Sequence, residues 1–116
     1  MKYDRRDERL IRKMLNEIAE LESFIHGLDI VGFLGSSITQ RAVAMTMINI
    51  GELSKKLSET TLQAMKNVPW GKIRGFRNLA AHQYDDIDMD EVWDIVTQDI
   101  PDFQATLITV QSKFKA

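Results

Sequence analysis

The chain has 116 residues, of which 44% are hydrophobic and 28% are charged, with a formal net charge of −2 and no cysteine. This composition predicts one compact domain over residues 1–116, and it excludes disulfides, thiolate metal sites and a cysteine nucleophile. No apolar run approaches the length of a membrane span, and the charged first residues lack a signal-peptide core. We therefore expect a cytoplasmic protein that does not associate with membranes.

Helical periodicity dominates the first half of the chain. Apolar residues at spacings of three and four predict an amphipathic first helix, with His26 and Gly27 as its last turn and cap. The stripe consists of Leu10, Ile11, Met14, Leu15, Ile18, Leu21 and Ile25. Residues 28–36 predict a short packed turn or half-helix. A second long helix is predicted from Ser37, as its N-cap, to about Leu57. Its apolar positions include Ile38, Ala42, Met45, Ile48, Leu53 and Leu57.

The next two predicted helices precede the segment that contains the candidate functional residues. A short helix over residues 59–66 carries Leu62 and Met65. Pro69 suits the first turn of the following helix, which is predicted to run to about His82. Gly71 and Gly75 weaken that helix, so packing must hold it in place.

The last predicted helix begins near Asp88, with Glu91 three residues later as in a capping box. Pro101 is expected to kink or break it. Its inner face consists of Trp93, Val96, Ile100, Phe103, Leu107, Val110 and Phe114. Since no segment alternates like a strand, the predicted fold class is all-α, an antiparallel helical bundle of four to five helices.

Charge is unevenly distributed along the second half. The charged residues from 66 to 77 are all basic: Lys66, Lys72, Arg74 and Arg77. Those from 85 to 102 are all acidic: Asp85, Asp86, Asp88, Asp90, Glu91, Asp94, Asp99 and Asp102. Two solvated helix faces would explain this pattern, and so would a basic binding surface beside an acidic segment.

The two histidines have different surroundings. His26 at a helix end is interpreted as structural, because a histidine there favours the helix dipole. His82 follows Arg77 by five residues, which on an α-helix places the two about 140° apart. Either the long arginine reaches the helix end, or a symmetric dimer brings two pairs into one cleft. A surface arginine and a helix-end histidine remain the simpler alternative.

Together, an arginine and a histidine suit cleavage of RNA. The ribose 2′-hydroxyl attacks its own phosphate, which requires a base, an acid for the leaving oxygen and a cation on the phosphorane. Histidine transfers protons near neutral pH, and arginine binds phosphate with two donors. Such cleavage leaves a 2′,3′-cyclic phosphate and requires no metal or cofactor.

The stretch Arg77-x4-His82-x-Tyr84, with Asn78 after the arginine, resembles the HEPN motif of HepT-like toxins, the DUF86 family. The resemblance extends over nearly the whole chain. It includes Ile50-Gly51-Glu52, Val68-Pro69-Trp70, Gly75-Phe76-Arg77-Asn78, Glu91-Val92-Trp93 and Asp99-Ile100-Pro101. One departure is the pair Asp85 and Asp86, where family members often carry an aromatic or small residue.

The resemblance implies a helical homodimer whose two motifs face each other across a cleft and cleave RNA as the toxin of a type VII-like toxin–antitoxin system. Arg77 and His82 would be catalytic and Asn78 supporting. The implied partner is a minimal nucleotidyltransferase antitoxin that transfers AMP to Tyr84 and blocks the site.

Two other functions stay open. The acidic segment and the near-neutral total charge favour a non-catalytic HEPN dimer that binds nucleotide or RNA or is mainly the partner of a nucleotidyltransferase. A purely structural helical dimer is the third possibility. Glu52 is predicted either as a buried, hydrogen-bonded residue or as a neighbour of the cleft. Trp70 and Trp93 are interpreted as core or interface anchors rather than platforms for stacked bases.

Overall fold

A computed structural model describes residues 4–81 and 86–114, and within them the chain is helical without a strand. The long helices are α1 (Arg5–Ile25), α3 (Ser37–Ser54) and α7 (Ile100–Lys113). The short ones are α2 (Ile30–Leu34), α4 (Glu59–Ala64), α5 (Trp70–Gly75) and α6 (Met89–Asp94), with a 3-10 helix over Phe76–Ala81 and a π-helix over Ile95–Asp99. No helix in these ranges is long and apolar enough to cross a membrane. The predicted all-α bundle is confirmed.

Helix α1 ends at the residues that the sequence indicated, and the structure adds where it begins. Its N-cap is Asp4, whose carboxylate accepts a hydrogen bond from the Arg6 backbone N–H at 2.8 Å. His26 is the C-cap, and Gly27 follows with φ of +78°, a left-handed conformation that glycine adopts without steric cost. The predicted end of this helix is therefore confirmed.

Helix α3 differs from its prediction in its bounds and in its buried face. Ser36, rather than Ser37, is the N-cap, and the helix ends at Ser54 rather than near Leu57. Ile38 and Met45, expected as part of the apolar stripe, are 84% and 57% exposed. The buried face instead consists of Gln40, Val43, Ala44, Thr46, Met47, Ile50, Gly51 and Ser54. Because α3 is apolar on more than one side, periodicity alone could not select the face that packs inward.

The predicted single helix from Pro69 to His82 is wrong in its second half. Pro69 is the N-cap of α5, which ends at Gly75, and the chain continues as the 3-10 helix. Gly75 lowers the helix propensity at this changeover. A 3-10 helix is tighter than an α-helix and rarely extends over many residues, so packing against α3 must hold this one.

The last helical stretch begins at the predicted cap. The Asp88 carboxylate accepts hydrogen bonds from the backbone N–H groups of Asp90 and Glu91. Pro101 was expected to kink or break the helix. In the structure the α-helical pattern is interrupted just before Pro101 by the π-helix, which directly precedes α7. The wider π turn fits a residue that lacks a backbone donor and crowds the preceding carbonyl.

One hydrophobic cluster joins the elements. Helix α1 packs against α3 and α7, and every residue of its predicted stripe belongs to this cluster or packs against it. Trp70 is buried and donates its indole N–H to the Met65 carbonyl at 3.0 Å, whereas Trp93 packs its ring on Phe33 with centroids 5.1 Å apart. Trp70 thus belongs to the core and the half-buried Trp93 packs against it, in agreement with the anchor roles that the sequence favoured.

A buried carboxylate ties the start of α1 to the start of α4. Asp7 is 1% exposed, and its carboxylate accepts hydrogen bonds from the Ser58 backbone N–H at 3.1 Å, from the Thr61 hydroxyl at 2.6 Å and from the Ser58 hydroxyl. Farther along α1, Glu17 accepts a hydrogen bond from Asn49 of α3. Since the contact of Asp7 is with Ser58 and that of Glu17 is with Asn49, α1 and α3 run antiparallel. A buried acid is tolerated here because its oxygens are satisfied by donors.

Candidate active site

Arg77 is the second residue of the 3-10 helix, and its side chain is exposed. It forms no salt bridge with any residue in the described ranges 4–81 and 86–114. Phe76, immediately before it, is 4% exposed and fixes this part of the backbone in the core. Within the described ranges, the structure therefore shows an exposed guanidinium without an ion pair on a firmly packed backbone, and such a group can bind an anion such as phosphate.

Two polar neighbours extend this exposed surface. Asn78 follows Arg77 and is exposed as well, so its amide can donate or accept a hydrogen bond at the same site. Arg74, exposed in the last turn of α5, precedes Arg77 by three residues, a spacing that places side chains next to each other on a helix. Together the two arginines make this surface locally basic.

His82 and Tyr84 lie outside the described residues, and so do Gln83 and Asp85. The described chain ends at Ala81, the last residue of the 3-10 helix, and resumes at Asp86. The predicted roles of the histidine and the tyrosine therefore stay predictions.

The basic and acidic segments meet in the fold. The Lys72 ammonium lies 2.6 Å from a carboxylate oxygen of Asp99, which connects α5 to the π-helix. Because Lys72 is already paired with a carboxylate, it is a poor candidate for binding phosphate. Arg74 and Arg77 have no such partner among the described residues. One part of the basic segment, Lys72, thus serves to join two elements of the fold, and the other part, Arg74 and Arg77, forms an exposed basic surface.

A cavity of about 340 Å³ adjoins the 3-10 helix. Its apolar lining includes Phe76 and Leu79 from the 3-10 helix and Val92 from α6, and its charged lining includes Lys72 as well as Asp86 and Glu91. An apolar group could enter such a space, and the mixed charges of the lining offer it polar contacts.

The structure also places the two other sequence candidates, Glu52 and His26. Glu52 is not buried: its side chain is 47% exposed, it pairs with Lys55 at 3.9 Å, and it lines a polar groove between α1 and α3. His26 is exposed at the C-cap of α1, the helix end where the sequence predicted it. Within residues 4–81 and 86–114, no three histidine, aspartate or glutamate side chains are grouped so that they could hold a metal ion.

Sequence reasoning missed two residues that hold the site and the fold. Asp7 was one acid among many at a charged N-terminus, and its partners Ser58 and Thr61 lie more than 50 residues away. Gly51 was noted only within the family resemblance, yet it contacts the backbone of Arg77. A glycine inside an apolar helix is the one signal that could have indicated such a close approach.

Residues 14–110 match the family model described as "Ribonuclease HepT-like". The chain is similar to "Putative RNase MJ1380" of Methanocaldococcus jannaschii, with 31% identity over 91 residues that cover 78% of this chain and 81% of the relative. It is also similar to "Putative RNase MJ0127" of the same organism, with 30% identity over 76% of this chain and 73% of the relative. The chain is also similar to "Probable ribonuclease HepT" of Thermococcus cleftensis, with 31% identity over 91 residues that cover 75% of this chain and 83% of the relative. No solved structure matches the chain significantly.

Proposed function

Because the chain belongs to the HepT-like ribonuclease family, we propose that it is a metal-independent endoribonuclease that acts as the toxin of a toxin–antitoxin pair. The observation that carries this proposal is the exposed guanidinium of Arg77, free of ion pairs among the described residues and followed five positions later by His82. Relatives whose names call them RNases support it.

The proposed chemistry is transesterification within RNA. The 2′-hydroxyl oxygen forms a bond to phosphorus while its proton goes to a base, and the bond to the 5′-oxygen breaks as that oxygen takes a proton. His82 serves as a proton-transfer group, and Arg77 stabilises the charge on the phosphorane. Asn78 assists by hydrogen bonding to the phosphate or ribose. The products are a 2′,3′-cyclic phosphate and a 5′-hydroxyl end.

The proposal includes a homodimer in which two motifs share a cleft. An unpartnered apolar face supports this assembly: Val31 is 74% exposed and Ile38 84%, with Leu34 and Met45 also exposed on α2 and α3. Helix α3 also packs against the 3-10 helix that carries Arg77, so the apolar face and the segment bearing the motif are joined through one helix. In a symmetric dimer the same apolar patch serves both partners.

We expect Ile38→Asp to convert a dimer into a monomer, because the interface would have to bury two unpaired carboxylates. Light scattering at micromolar concentration measures the change. Ile108→Asp is the matched control, since Ile108 is 52% exposed on α7, outside the α2–α3 patch, and should leave the dimer intact. A monomeric parent protein would contradict the cleft arrangement.

We further propose regulation by a minimal nucleotidyltransferase antitoxin that transfers AMP to Tyr84. The position of this tyrosine, two residues after His82, supports the idea because a bulky anion there would compete with RNA for Arg77. Such a pair would be a type VII-like toxin–antitoxin system, in which the antitoxin inactivates the toxin by covalent modification.

One set of observations favours the alternative, a non-catalytic dimer that binds RNA or nucleotide or serves the nucleotidyltransferase. Asp86, Asp88, Asp90 and Glu91 are all exposed just after the motif. Their negative charge opposes the approach of a polyanion and lowers affinity for RNA.

The test is incubation of the purified, unmodified chain with single-stranded RNA in excess EDTA. We expect cleavage at the same rate as with Mg²⁺. The 2′,3′-cyclic phosphate ends should resist both ligation and phosphatase until acid hydrolyses the ring to a monophosphate, which phosphatase then removes. Cleavage that EDTA abolishes and Mg²⁺ restores would reject metal independence. RNA that binds but stays intact would favour the non-catalytic alternative.

A further inference from the structure

Gly51 is buried on α3 at the point where that helix contacts the segment bearing Arg77. A Cβ atom at this position would lie 3.0 Å from the backbone N of Arg77 and 3.1 Å from the carbonyl oxygen of Ile73. Both distances are shorter than ordinary van der Waals contact. The absence of a side chain therefore allows the two backbones to approach this closely.

A side chain at position 51 could not be accommodated by a small side-chain movement. The two nearest atoms belong to backbone rather than to the end of a flexible side chain, and the third, the Cβ of Phe76, is 3.4 Å away. Ile73 and Phe76 are almost fully buried, so this stretch of backbone is held by the core on either side of the contact. An added methyl group would have to displace the start of the 3-10 helix itself.

Displacing that backbone displaces the guanidinium, because the exposed side chain of Arg77 extends from the same residue whose N atom is contacted. We propose that Gly51 is a positioning residue for Arg77, which sets the place of the guanidinium by letting the 3-10 helix lie directly against α3. The inference rests on the proposed nuclease function. A shift of a few tenths of an ångström in a charge that must meet a transition state lowers kcat more than it changes binding of the ground state.

Two other glycines provide matched controls. A Cβ at Gly71 or Gly75 would meet no atom within 4 Å, although both glycines lie on α5, next to the same segment. Alanine at any of the three positions raises helix propensity equally. Only the variant at Gly51 adds a steric contact with the backbone of Arg77.

The experiment compares Gly51→Ala with Gly71→Ala, after circular dichroism has shown that each variant is folded at the assay temperature. We expect kcat for RNA cleavage to fall by about tenfold in Gly51→Ala with KM within about twofold of the parent, and both constants to stay near the parent in Gly71→Ala. If Gly51→Ala is unfolded at the assay temperature, the double variant Gly51→Ala/Gly71→Ala is compared with Gly71→Ala instead. The second alanine raises the helix propensity of α5 and so stabilises the fold.

Two further measurements separate positioning from general damage. In the Arg77→Ala background, Gly51→Ala should change kcat by less than about twofold, because the group that it displaces is already absent. The backbone amide signal of Arg77 in ¹H–¹⁵N spectra should shift in Gly51→Ala and not in Gly71→Ala, whether or not the chain cleaves RNA.

Each failure has its own signature. A parent that does not cleave RNA but whose Arg77 amide shifts in Gly51→Ala would reject the nuclease and keep the positioning contact. Cleavage by Gly51→Ala at the rate of Gly71→Ala would overturn the inference while leaving the nuclease intact. An equal tenfold loss in the Arg77→Ala background would overturn it as well, since Gly51 would then act through something other than Arg77.

Discussion

His82→Ala is expected to lower the rate of RNA cleavage by about 10²-fold or more, the usual effect of losing a general acid or base. Arg77→Ala should be comparably damaging, because an unneutralised phosphorane loses its main electrostatic partner. Arg77→Lys should fall between the parent and Arg77→Ala, since lysine keeps the charge but cannot donate two parallel hydrogen bonds. Initial rates on a fluorogenic RNA in EDTA measure all three.

The chain offers a matched control for each of these substitutions. Arg74→Ala removes the neighbouring exposed arginine of the same basic surface, three residues before Arg77, and should leave kcat within a few-fold of the parent. His26→Ala removes the other histidine, at the C-cap of α1, and should leave cleavage unchanged. If His82→Ala and Arg77→Ala cut RNA as fast as these controls, the nuclease activity belongs to another site or to a contaminant.

Co-expression with a cognate nucleotidyltransferase is expected to add the mass of AMP to this chain and to relieve its toxicity. Tyr84→Phe should abolish both effects, because the transfer joins the tyrosine oxygen to the α-phosphorus of a nucleoside triphosphate as pyrophosphate leaves, and phenylalanine has no such oxygen. Intact-mass spectrometry and growth of the producing cells are the two measurements. The Phe variant should stay toxic, since Arg77 and His82 are unchanged.

Tyr3 is the control for this assignment, because Tyr3 and Tyr84 are the two tyrosines of the chain. Tyr3→Phe should accept AMP and be neutralised like the parent. Full modification of Tyr84→Phe, lost only when Tyr3 is also replaced, would move the acceptor to the N-terminus. An unmodified parent under conditions that relieve toxicity would point to inhibition by binding alone.

The sequence by itself determined the helical class and the order of the elements. Spacings of three and four in α1 chose its buried face, because one side of that helix is polar. Local capping chemistry located Gly27 and Asp88, because those caps depend on residues only a few positions away. The motif beginning at Arg77 could likewise be read from neighbouring residues.

Only the tertiary structure decided which face of α3 is buried, since Ile38 and Val43 are equally apolar and packing against α1 selects between them. The tertiary structure also decided that the stretch through Arg77 is a 3-10 helix, whereas local propensity favoured continuing α5. Asp7 and Gly51 gained their roles in the same way. The hydrogen-bond donors around Asp7 and the backbone that lies against Gly51 come from residues distant in the chain. No local sequence pattern encodes contacts between such residues.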